Sequence, residues 1–176
     1  MADPDVTITT LTPDDYTDHE AALAELLRDC VEAGASVHFI TPFSLKESRA
    51  FWREKVAPAV RAGHRVVVTA HIAGRLVGTV QLSCDTPPNS PHRADVSKLL
   101  VHPDFRRRGI ARAMMAALED DARRRQRRLL LLDTAPGYTE TFYRGIDYQK
   151  VGVVPGFARD AIEDVYLDTV IMYKTL

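Results

Sequence analysis

DVSKLLVHPDFRRRGIARAMMAA, running from Asp95 to Ala117, is the stretch on which the reading of the whole chain turns. An alternating apolar run ends at Val101, Pro103 turns the chain, Arg106, Arg107 and Arg108 precede Gly109, and an amphipathic segment continues from Ile110. That order predicts a strand, a loop and a helix. The first turn of a helix carries backbone amides without partners and the positive end of the helix dipole, so it is ready to hold a phosphate. A pyrophosphate can approach several amides together only where side chains are small, and Gly109 and Ala111 are the small residues here. Arginines add charge-assisted hydrogen bonds to phosphate oxygens, although a run of them also suits a solvated face. The stretch carries neither a Gly-x-Gly-x-x-Gly turn nor a Gly-Lys-Ser/Thr phosphate loop.

Upstream, Val6 and Ile8 alternate with threonines in a first strand, and Thr12-Pro13-Asp14-Asp15 starts a helix that carries an apolar stripe to Val31 and ends before Gly34. Residues 34–39 lack periodicity and read as a connection or a substrate-facing loop. Ser44 and Glu47 have capping-box spacing, opening a helix from which Phe51, Trp52 and Val56 pack inward. Residues 64–72 and 75–83 form a hairpin about Ala73-Gly74, and residues 85–91 are loop. Downstream, Ala113, Met114, Ala117 and Leu118 give the helix after Gly109 its apolar face, and the arginines at 123–128 compensate its dipole. Leu129 to Leu132 read as a strand buried on both faces, ending at Asp133-Thr134. A short helix at 139–144 follows, then strands at 148–154 and 165–173 divided by Pro155-Gly156-Phe157 and a polar loop. The expected architecture is an α/β sheet of mixed direction in which one helix crosses between two parallel strands.

The 176 residues suit a single domain spanning 1–176, long enough for a core without disulfides or metal. A formal net charge of -1 argues against a generally basic nucleic-acid binder, and the arginines at 123–128 lack interleaved aromatics. Cys30 and Cys84 stand apart with no metal or disulfide spacing, His71 has no partner histidine at ligand spacing, and no metal is assigned. The cysteine usage, a start without a basic-then-apolar pattern, and the lack of a spanning apolar run lead to the expectation of a cytoplasmic protein that avoids membranes.

Residues 106–111, Arg-Arg-Arg-Gly-Ile-Ala, resemble the Arg/Gln-x-x-Gly-x-Gly/Ala signature of the GCN5-related N-acetyltransferases, and the strand end Leu99-Leu100-Val101-His102-Pro103 is similar to what precedes it in that family. The resemblance implies a mixed, mostly antiparallel sheet of six to seven strands with helices on both faces. It also implies a central parallel pair splayed to admit acetyl-CoA as cosubstrate. Leu99, Leu100 and Val101 would then lie along the acetyl-pantetheine arm, with Arg106, Arg107, Arg108, Gly109, Ile110, Ala111 and Arg112 around the pyrophosphate.

Acetyl transfer to an amine needs a base for the amine, a polarised carbonyl and an acid for the departing thiolate. Phe142-Tyr143 followed by Gly145 resembles the family's Phe-Tyr-x-x-x-Gly-Phe segment, whose tyrosine serves as the acid, with the glycine early. The base is Asp133, at a strand's carboxyl end, or Asp95, where protein-acetylating relatives carry a glutamate. A closer resemblance favours Asp133: residues 34–37, 93–96, 98–99, 132–134, 142–143 and 151–157 are similar to the tabtoxin-resistance group, which acetylates an amino-acid-like toxin. The substrate walls are drawn from His38, Phe39, Trp52 and Gln81. The expectation is a small-molecule amine acetyltransferase that attacks directly in a ternary complex and serves toxin or antibiotic resistance. Relatives of this kind often form homodimers, and residues 169–176 offer an edge for one. The rival readings are a protein lysine or N-terminal acetyltransferase with Asp95 as base, and a non-catalytic acetyl-CoA sensor that uses the second arginine run on RNA.

Overall fold

A computed structural model describes residues 5–176; the reading of the chain's start rests partly on residues 1–4, outside that range. The first strand, β1 (Val6–Thr10), leads into helix α1 (Pro13–Glu32), whose start is a complete capping box. Thr12 Oγ1 accepts from the Asp15 amide at 3.2 Å while Asp15 Oδ2 accepts from the Thr12 amide at 3.3 Å. Ser44 and Glu47 repeat the device at the head of α2 (Leu45–Ala50). The helix then widens into a π turn over Phe51–Val56 before α3 (Ala57–Arg61). Pro58 has no amide hydrogen to give, and in the widened turn the Ala57 amide reaches back to Trp52 O instead.

The sheet comprises β1, β2 (Arg65–Ile72), β3 (Arg75–Ser83), β4 (Arg93–Val101), β5 (Leu129–Thr134), β6 (Gln149–Arg159) and β7 (Tyr166–Thr175), in the order β1-β2-β3-β4-β5-β7-β6. Every neighbouring pair is antiparallel except β4 with β5. Helix α4 (Ile110–Arg124) makes that parallel crossover, and α5 (Tyr138–Arg144) follows β5. Together these elements are the expected α/β sheet of mixed direction, seven-stranded and mostly antiparallel, with one parallel crossover.

Helices cover both faces. On one, Ile110, Met114, Met115 and Leu118 of α4 pack on Val66, Val80, Leu82, Val96, Leu130 and Met172. Each fully buried side chain of this size is worth roughly 1.5–3 kcal/mol. The fit is close at Gly78, where a Cβ would stand 2.8 Å from Met114 Cε and 3.1 Å from Leu100 O. On the other face α1 and the π turn bury Leu23, Leu27, Trp52 and Val56 over Val67 and Leu100. This second layer stops short of β5, which corrects the expectation of a strand buried on both sides. Leu130 and Leu132 are buried while Leu129 and Leu131 are half-exposed, because among the described residues the apolar cluster under α1 does not extend over β5.

One boundary and one side-chain role also differ from expectation. β6 does not end at Val154 but runs through Pro155 to Arg159, with its register against β7 broken between Val154 and Ala158. The proline is tolerated because β6 is the outermost strand and the irregularity removes the need for its missing hydrogen. The arginine run after α4 is more than a solvated face: Arg127 Nη1 donates to the carbonyls of Pro91 and Arg93 and to Thr86 Oγ1, tying down the 85–91 loop.

Candidate active site

β4 and β5 are in register only at Arg93 with Leu129, Ala94 with Leu130 and Asp95 with Leu131. Beyond Asp95 they separate, and the cause lies in β4. Ser97 faces Gln81 on β3 and Leu100 faces Thr79, so Lys98 and Leu99 together oppose Val80, with Lys98 at φ 54°. Such a bulge adds an unpaired residue, bends its strand and increases the local twist. A cleft of about 370 Å³ opens in the gap, walled by residues 96–101 of β4, Asp133 and Thr134 of β5, Phe142 and Tyr143 of α5, and the loop at 33–38. A broader depression of about 750 Å³ around Arg144, Asp147 and Gln149 is an open surface feature and lacks the residues expected to carry chemistry.

At the cleft's mouth stands the arginine loop. After a short 3₁₀ turn, Pro103–Phe105, Arg107 and Gly109 both take positive φ, 67° and 75°, and α4 begins with no side chain capping it. Its first-turn amides therefore keep their donors for an anion. The arginines are held in different ways. Arg106 Nε donates to Val101 O at 3.2 Å and lines the cleft, while Arg107 Nη1 donates to Tyr138 Oη at 2.8 Å and its guanidinium stacks on that ring. Arg108 lies 5.1 Å above the Phe105 ring, and the Arg112 guanidinium reaches the vicinity of Gly145. An open strand edge continuous with an uncapped helix start suits a ligand that is amide-bearing along its arm and anionic at its far end. The residues present therefore fit coenzyme A.

Tyr143 and Asp133, brought from α5 and β5, line the same cleft. The Tyr143 ring is buried between Phe142 and Tyr148, 5.2 and 5.5 Å away, and no described residue hydrogen-bonds its hydroxyl. Burial raises its pKa well above the usual tyrosine range, and the negative charge of Asp133 raises it further, so the phenol keeps its proton even in alkaline solution. Asp133 is exposed and receives a single long contact from Thr169 Oγ1 at 3.5 Å. Asp95 lies at the paired end of β4, opposite Leu131 and Ser83, and does not line the cleft.

Of the expected substrate walls, His38 lines the cleft, at φ 68°, with its ring 6.5 Å from that of Phe157. The other three do not. Trp52 is wholly buried under α1, where its carbonyl accepts from Tyr16 Oη at 2.8 Å. Gln81 is equally buried and accepts from Arg65 Nη1 at 3.0 Å. Phe39 packs 4.6 Å from Phe43 and 5.2 Å from Phe51 beside the cleft. Alternation along β3 explains Gln81, since Val80 and Leu82 face α4 and so turn it to the opposite interior.

Sequence reasoning missed Lys98. It lines the cleft from the bulge, with Nζ 5.6 Å from the Phe39 ring and 5.7 Å from that of Phe51. Burial pushes its pKa down to about 8, with Asp133 opposing the fall and Arg65 adding to it. An unmatched lysine in a strand that otherwise alternates was the available signal. Cys30 also lines the cleft, where burial pushes its thiol up to about 11, as suits an inert side chain. Among the described residues no three His, Cys, Asp or Glu side chains are grouped to hold a metal ion. No helix is long and apolar enough to cross a membrane among these same residues.

The sequence pattern described as "Acetyltransferase (GNAT) family" matches residues 21–144, more than half of the chain. Among solved structures, the fold is similar to ribosomal-protein-alanine N-acetyltransferase of Brucella melitensis, with a TM-score of 0.77 and 24% identity over 97% of this chain and 99% of that one. It is similar also to yncA of Salmonella typhimurium, solved with its cofactor acetyl-CoA, with a TM-score of 0.76 and 16% identity over 98% and 94% of the two chains. A GCN5-related N-acetyltransferase of Kribbella flavida gives 0.73 and 18%, over 98% of each.

Proposed function

The chain belongs to the acetyltransferase (GNAT) family, an acyltransferase with acetyl-CoA as its cosubstrate, and from that premise we propose that it acetylates the amine of a small, amino-acid-like molecule. The observation that carries the reading is that Tyr143 and Asp133 share one cleft of about 370 Å³. Acetyl-CoA brings an activated acetyl thioester. Residues 106–112 hold its pyrophosphate at the uncapped start of α4, and the open edge at Leu99 and Val101 holds its arm. Asp133 accepts the proton of the attacking amine, directly or through water. Tyr143, a phenol that carries its proton at neutral pH, donates that proton to the sulfur as the C–N bond forms and the C–S bond breaks. Backbone amides at the β4 bulge polarise the carbonyl.

Asp133 is preferred to Asp95 as base because Asp95 lies outside the cleft. The limited volume, with the 33–38 loop closing one side, favours a small acceptor over a protein lysine or N-terminus. The likeness of residues 34–37, 132–134 and 151–157 to the tabtoxin-resistance group suggests detoxification of an amino-acid-like toxin or antibiotic, in the cytoplasm, by one domain; a homodimer would use a surface other than the expected edge at residues 169–176, because β7 is paired on both sides, with β5 and β6. Release of free thiol from acetyl-CoA, measured against amino acids, amino-acid-like toxins, polyamines and amine-bearing peptides, tests this. Turnover with a small amine, lost in Tyr143→Phe and Asp133→Asn, is expected. Turnover with peptides alone overturns the substrate class.

A further inference from the structure

We propose that Lys98 anchors the carboxylate of the acceptor, so that the enzyme selects free zwitterionic amino-acid-like amines over peptides and neutral amines. The inference rests on the small-molecule reading above and names the feature that substrate must carry. The Lys98 ammonium has three hydrogen-bond donors, yet no described residue accepts a hydrogen bond from it or forms an ion pair with it. Its immediate company is the π faces of Phe39 and Phe51, which stabilise a cation without occupying its N–H groups. A half-buried cation with free donors, turned to a cleft, is built to meet an anion that arrives from solution.

Packing alone does not account for a lysine here. Methionine would fill the same aromatic corner without a charge to desolvate, and the nearby Arg65 adds repulsion. The backbone points the same way. Lys98 holds φ 54°, a conformation glycine adopts with less strain, so the side chain is kept in spite of the backbone's preference. Across the splay stands Asp133, close enough to be felt electrostatically. The cleft thus presents a positive group on β4 and a negative group on β5. A zwitterion matches that pair in one orientation, with its carboxylate on Lys98 and its amine beside Asp133, the residue assigned as base. A peptide N-terminus offers a neutral carbonyl where the carboxylate would lie and leaves Lys98 unmatched.

The test compares kcat/KM for each common L-amino acid with that for its carboxamide, using the full chain and acetyl-CoA, in wild type, Lys98→Met and Lys98→Arg. The wild type is expected to prefer the best acid over its carboxamide by at least about tenfold. Lys98→Met should raise KM for the acid about tenfold or more with kcat little changed, and should penalise the carboxamide far less. Lys98→Arg should recover part of the preference. Equal use of acid and carboxamide by wild type, or an equal loss of both in Lys98→Met, overturns the carboxylate anchor and leaves the small-molecule reading standing. Turnover of peptide amines with no free amino acid accepted overturns both. A cooperative thermal transition no lower than that of wild type establishes that the variants are folded.

Discussion

The parallel pair β4 and β5 is two structures in succession. From Arg93 to Asp95 the strands are hydrogen-bonded, and buried Ala94 and Leu130 press against α4. A few residues further on, the same strands part, the second helical layer is absent over β5, and the side chains that face outward are Lys98, Asp133 and Tyr143. The first half follows the ordinary logic of burial, with apolar groups inside. The second places a cation, an anion and an unbonded phenol around open space, an arrangement that lowers stability and becomes reasonable only when a ligand fills it. Stability and chemistry are thereby assigned to adjoining halves of one strand pair, with the bulge at Lys98 as the boundary.

The sharpest way to break that division is Tyr143→Phe. Removing the proton donor is expected to lower kcat by about 10²–10⁴-fold, as read by thiol release, while the melting temperature stays within a degree or so, since the hydroxyl has no protein partner to lose. A large fall in stability would show that the open half is also structural. Leu130→Ala probes the closed half in the opposite sense: a cost of roughly 2–5 kcal/mol in chemical denaturation, with near-normal turnover by the molecules that remain folded. Lys98→Met has the smallest effect and a distinctive pH signature. The folded-state pKa of about 8 lies below the ordinary 10.5, so between those values the unfolded chain binds more protons and this group makes stability rise with pH. Below about pH 8 the penalty is fully present, and the variant should exceed wild type by roughly 1 kcal/mol, or about 2–4 °C. The advantage should shrink as pH climbs toward 10.5.

The closed half was legible in the sequence and the open half only in outline. Alternation, caps and the arginine-glycine loop located β4, α4 and their order, because these signals depend on local periodicity and on residues with special backbone demands. The splay was read from resemblance; no residue type announces where two strands stop pairing. Lys98 was missed because a bulge shifts the side-chain alternation, and its φ of 54° is a backbone state that lysine does not advertise. As substrate walls Trp52 and Gln81 fail in the other direction, although the reading of Trp52 as an inward-packing residue holds. An aromatic in an amphipathic segment and a polar residue in a strand both look available from sequence, but both are sealed by the layer of α1 and the π turn. Arg127 looked like part of a charge run because its acceptors are carbonyls of a distant loop, which sequence does not pair with it.

The outermost strand has its own consequence for how the molecule behaves among its copies. β6 exposes Val151, Val153, Val154 and Phe157 along a free edge, a composition that in an uninterrupted strand would template further strands and seed insoluble assemblies. Pro155 removes a donor from the middle of that edge, and the irregularity between Val154 and Ala158 breaks the regular repeat a docking strand would need. Residues 154–158 thus serve as a gatekeeper, allowing an apolar strand to stand at the rim of the sheet in a concentrated solution without recruiting its neighbours.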